Sequence, residues 1–88
     1  MNKTLKMTDK GIESIIKILD ELKEDVTVPK NVRIRLQEII DSLKDDTTLS
    51  IKINKALNDL DEIAADVNLQ PYMRTQIWNV ISVLEKLQ

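Results

Sequence analysis

Trp78 is the only tryptophan in the chain, with Arg74 four residues before it and Glu85 seven after. On one helix this spacing gathers an indole, a guanidinium and a carboxylate on neighbouring turns. Arg74 is then placed to lie over the ring as a cation–π partner, and Trp78 is either folded over the edge of its own core or the centre of a small interface anchor. A second grouping is basic: Lys30, Arg33 and Arg35 put three positive charges into six residues. This is the one place where a phosphate-binding patch can be argued. No aromatic side chain is interleaved for base stacking, and Glu38 and Asp41 follow within two turns. Carboxylates pair as Asp20-Glu21 with Glu24-Asp25, as Asp45-Asp46, and as Asp59 with Asp61-Glu62. Such pairs suit a metal ion or acid–base work in principle. The alternating acidic positions around a glycine that make a calcium loop are missing, as is the Glu-x-x-His of a di-metal bundle. Tyr72 and the serines at 14, 42, 50 and 82 have no base at a recognisable spacing.

Composition narrows the chemistry further. With no Cys and no His among the 88 residues, disulfides, thiolate nucleophiles, the usual structural zinc ligands and an imidazole base are all absent. No enzyme activity, cofactor, metal or small-molecule substrate is therefore expected. A net charge of -2 provides no global attraction to phosphate backbones or anionic lipid. The longest apolar runs fall far short of the ~20 residues that span a bilayer, and the N-terminal stretch has no signal-peptide pattern. A cytoplasmic protein is the expectation. Hydrophobic residues make up 42% and there are only one Gly and two Pro, too apolar for a disordered tail and too poor in turn formers for a loop-rich fold.

The elements that must carry these residues are helices. Ile12, Ile15, Ile16, Leu19, Leu22 and Val26 recur at steps of three and four, as do Val32, Leu36, Ile39, Ile40 and Leu43. The same stripe returns twice more, from Leu49 to Val67 and from Met73 to Leu87. Four amphipathic helices follow. Trp78 sits about 120° from the centre of its stripe at the helical advance of ~100° per residue, which places it on a flank. Ile34 and Ile51 are also off-stripe, and with Trp78 they are candidates for a shared self-association surface.

Sliding the chain by 41 positions superposes Leu19-Asp20-Glu21 on Leu60-Asp61-Glu62, Asp25-Val26 on Asp66-Val67, and Arg33 on Arg74. In all, nine of 36 pairs between 12–47 and 53–88 are identical. The stretch D-V-T-V-P-K-N-V-R and a period near 40 resemble the helix-turn-helix units of HEAT repeats. Two units are too few for an open stack to bury its faces, so the hairpins are expected to close on each other as an all-α four-helix bundle. Trp78 falls opposite Gln37 in this alignment, so bundle geometry does not itself demand an apolar group there. At the turns, Thr27 and Asn68 are expected to cap helices two and four, Pro29 and Pro71 to lie in their first turns, and Thr47 or Thr48 to cap helix three. Asp25 with Arg33, and Asp66 with Arg74, are expected to close each hairpin by a charge-assisted bond.

Leu60-Asp61-Glu62-Ile63, Asp66, Pro71-Tyr72, Arg74-Thr75 and Ile77-Trp78-Asn79, together with Val26-Thr27-Val28-Pro29, Asn31 and Arg33, resemble the archaeal uncharacterised protein family 0147. The resemblance covers essentially the whole chain. It implies a small all-helical archaeal protein and supplies no catalytic or binding residues to transfer. The expected organisation is a frayed leader over 1–8 and one domain over 9–88, with hairpins at 9–45 and 48–88. The expected role is a non-enzymatic protein-interaction module, a homodimer or a partner of another protein, using Trp78, Arg74, Glu85, Ile34 and Ile51. The alternative is an RNA- or ribosome-associated factor using Lys30, Arg33 and Arg35.

Overall fold

The computed structural model describes residues 7–87, with side chains from residue 10 onward. Four helices follow one another: α1 (Met7–Lys23), α2 (Lys30–Lys44), α3 (Leu49–Ala64) and α4 (Pro71–Lys86). Of the expected leader, residues 1–6 lie outside the described residues, and Met7 opens α1. The connectors are short, which forces consecutive helices antiparallel. Each helix packs on its sequence neighbours and α1 returns against α4, closing the cycle. The two hairpins thus cover each other's apolar faces instead of stacking as an open array. In this cycle α2 and α4 lie on a diagonal, as do α1 and α3.

The helical stripes supply the core. Ile15, Leu19, Leu36, Ile39, Ile40, Leu43, Ile53, Leu60, Ile77 and Leu84 are fully shielded, and among the described residues no polar or charged side chain is buried. At about 1.5–3 kcal/mol per fully buried aliphatic side chain, this layer is the main force opposing the chain entropy of ordering. The sole glycine, Gly11, has a role at the α1–α4 seam. A Cβ there would come within 2.9 Å of a Leu87 methyl, so its bare backbone lets the end of α4 approach α1 closely.

The turns depart from expectation. α1 ends at Lys23, so Val26 is not the last residue of its stripe but stands 90% exposed, and its repeat partner Val67 is 89% exposed. The loop residues that do plug the core are Val28 and Leu69, 5% and 3% exposed. Thr27 and Asn68 are not helix caps. Pro29 and Gln70 occupy the N-cap positions of α2 and α4, without side-chain capping bonds, and Pro71 is the first residue of α4. Pro29 therefore precedes the first turn of α2 instead of lying in it. Thr48 stands at the N-cap of α3, likewise with no side-chain cap bond.

Candidate functional site

Each hairpin turn is held by one arginine reaching back from the helix that follows. Arg33 Nε donates to the carbonyl of Lys23 at 3.1 Å, and Nη2 to those of Asp25 and Val28 at 3.3 Å. Arg74 repeats this one period later. Its Nε donates to Ala64 at 2.9 Å and Nη2 to Asp66 at 2.8 Å and Leu69 at 3.3 Å. A helix C-terminus leaves carbonyls without intrahelical partners, and a left-handed glycine commonly ends it. Here no described residue has a positive φ. The planar guanidinium fork collects those carbonyls instead and places a positive charge at the negative end of the helix dipole. The charge-assisted closure expected between Asp and Arg thus exists, but it runs to the Asp backbone and not to the carboxylate.

The carboxylates shape the turn by another route. Asp25 Oδ1 accepts the Thr27 hydroxyl at 2.7 Å and the Thr27 N–H at 2.8 Å, and Asp66 Oδ1 accepts the Asn68 N–H at 2.9 Å. These are Asx-turns, the usual competitor of helix capping for Asp and Thr side chains. The Thr27 hydroxyl first, and then its N–H, hold the Asp25 carboxyl below the ordinary value of 3.8. Thr27 and Asn68 act as donors here because the helix starts two residues later than their types suggest.

With these roles assigned, the outward surface can be sorted. Arg33 and Arg74 are occupied by the turns. Arg35 pairs with Glu62 across the α2–α3 seam, leaving Lys30 exposed in the basic triplet. Lys23 reaches Gln37 and lies 3.5 Å from Asp20, and Lys55 pairs with Asp59 at 3.0 Å. Among the described residues, no group of three or more acidic side chains is placed to hold a metal ion.

Trp78 stands 61% exposed on the outer side of α4, a ridge between two shallow grooves. One is lined by Pro71, Arg74, Thr75, Asn79 and Ser82, and the other by Asp61, Ile81, Ser82 and Glu85. Glu85 and Arg74 thus border the indole as the spacing predicts, but the Arg74 donors point to the α3 terminus and not over the ring. Ile34 is exposed on α2, diagonal to α4, and Ile51 is exposed in the first turn of α3. Because α2 and α4 lie on a diagonal, the structure does not bring Ile34 onto one face with Trp78. What the residue pattern missed is the strip itself. From Pro71 to Leu84, α4 carries one charged residue, Arg74, which the turn has claimed. The signal was present as a local lack of Lys, Asp and Glu in a chain that is 32% charged.

Fold and surface define a class: a small all-α protein in which a duplicated helical hairpin closes into a four-helix bundle, its turns tied by arginine. A family model for an uncharacterised protein family, UPF0147, matches residues 1–87. The chain belongs to that family, which is archaeal and has no assigned function. A UPF0147 protein of Archaeoglobus fulgidus is 40% identical over 81 residues, spanning 92% of this chain and 93% of that one. One from Methanocaldococcus jannaschii is 35% identical over 86 residues, covering 92% of each. The crystal structure of a UPF0147 protein from Thermoplasma acidophilum superposes with a TM-score of 0.86 at 36% identity, covering 92% of this chain and 98% of that one. A crystallised protein of unknown function superposes equally well, with a TM-score of 0.86 at 33% identity over 99% of both chains. No helix of the described residues is long and apolar enough to cross a membrane.

Proposed function

We propose that this protein is a non-enzymatic protein–protein interaction module that self-associates as a homodimer through surface including Trp78. The observation that carries the reading is the exposure of that indole where the equivalent residue of the first repeat is the half-buried glutamine Gln37. Bundle packing does not require an aromatic group there, and leaving one in water forgoes a large apolar burial. Tryptophan and arginine dominate interface energetics, whereas charged side chains are depleted at interface centres. The stretch of α4 from Thr75 to Leu84, which carries no charged residue around Trp78, fits that composition. An RNA-bound role has weaker support, because Arg33 and Arg35 are engaged within the fold.

Trp78 is its own reporter, since no other tryptophan contributes to emission. Raising the protein from nanomolar to high micromolar is expected to blue-shift the emission and shield it from iodide, in step with a doubling of mass by light scattering. Emission that stays red and fully quenchable across that range, with a monomer mass throughout, removes the reading.

A further inference from the structure

The outer strip of α4 carries both an exposed indole and shallow grooves beside it. Pro71, Thr75, Trp78 and Ser82 follow one another along it, and Asn79 is exposed beside them. The Thr75 hydroxyl donates to the Pro71 carbonyl of its own helix at 3.1 Å, so it presents no unsatisfied donor to a partner. The ridge and the adjoining groove belong to the same patch, which is the condition for an isologous contact. We propose, building on the self-association reading above, that two copies pair α4 against α4 antiparallel about a two-fold axis. Each indole then lies over the other copy's Ser82 groove.

Antiparallel pairing also matches the charges at the ends of the strip. Glu85, in the last turn of one α4, comes to the first turn of the other, where helix N–H groups and Arg74 concentrate positive potential. Between these ends α4 itself contributes no charged side chain, and Asp61 of α3 borders the indole at the edge of the seam. A standard contact covers about 800 Å² on each partner, and one long side of the molecule measures 44 by 21 Å. The seam therefore extends from α4 onto the flanking edges of α1 and α3.

The duplication explains why assembly stops at two. Because α2 is the repeat-equivalent of α4 and lies diagonally across the bundle, the same strip on both helices would let copies add on opposite sides without end. On α2 the positions equivalent to Trp78, Asn79 and Ser82 are Gln37, Glu38 and Asp41. Glu38 and Asp41 are exposed carboxylates, and pairing them with their own copies would bring like charges together and strip their water. The α2 face is thereby closed to the contact that α4 makes.

Sedimentation of the full chain and three variants tests this, with helical circular dichroism confirming that each folds. The parent is expected to be a dimer. Ser82→Glu, which sets a further carboxylate beside Asp61, or independently Asn79→Glu, is expected to weaken it by about 100-fold or more, since each puts an unpaired charge into the seam. The triple change Gln37→Trp, Glu38→Asn and Asp41→Ser is expected to drive growth beyond the dimer as concentration rises. A dimer indifferent to both α4 variants overturns the α4 seam while leaving self-association standing. A triple variant that remains a dimer overturns the account of closure. A parent that is monomeric at every concentration removes the seam and the self-association reading together.

Discussion

At the scale of single residues, the two arginines that looked available for binding are structural. Arg33 and Arg74 each donate to three carbonyls of the preceding turn, work that one compact ammonium cannot do because it lacks the planar fork. Arg74→Lys is therefore expected to lower stability by about 1.5–3 kcal/mol, the range for hydrogen bonds to charged groups. The loss would be read as a lower urea midpoint with the slope unchanged. A midpoint equal to that of the parent would deny the fork its role. The residue types and their spacing were legible in the sequence, down to the pairing of Arg33 with Arg74 by the 41-residue offset. Their acceptors were not. Whether an arginine meets a carboxylate or a carbonyl depends on how far the preceding helix runs before it breaks, and α1 stops at Lys23, short of where its apolar periodicity continues.

At the scale of elements, the same early stop decides which loop residue is core. Val67 and Leu69 are two positions apart in one turn, yet the first is 89% and the second 3% exposed. Leu69→Ala is expected to cost about 2–4 kcal/mol, as for other buried leucines, whereas Val67→Ala should fall within about 0.5 kcal/mol of the parent. Thermal or urea melts of the two variants side by side check this, and equal effects would contradict the placement of the turn. Periodicity located all four helices and nearly every buried position in their interiors, because a stripe recurring at 3.6 residues has one way to face a neighbour. It failed at the ends. There the Asx-turns of Asp25 and Asp66 compete with helix capping and take Thr27 and Asn68 as donors.

At the scale of the whole molecule, each hairpin is the lid of the other. The α2–α3 and α1–α4 seams that join the halves involve every helix, so a single hairpin would expose an apolar face along its full length. A peptide spanning residues 48–88 is expected to be helical only as a concentration-dependent pair that rebuilds the bundle from two copies of one repeat. Circular dichroism over a dilution series measures this, and a stable helical monomer at low micromolar concentration would refute it. The sequence by itself determined the number of helices, their amphipathic faces, the duplication and the family. These follow from local backbone geometry and from spacing along the chain. Only the tertiary structure decided that Arg33, Arg35 and Arg74 are occupied, that Ile34 is turned away from Trp78, and that the indole stands exposed between two grooves. Those facts depend on which side chains meet across turns and seams, and such meetings are set by helix ends and crossings that no local pattern encodes.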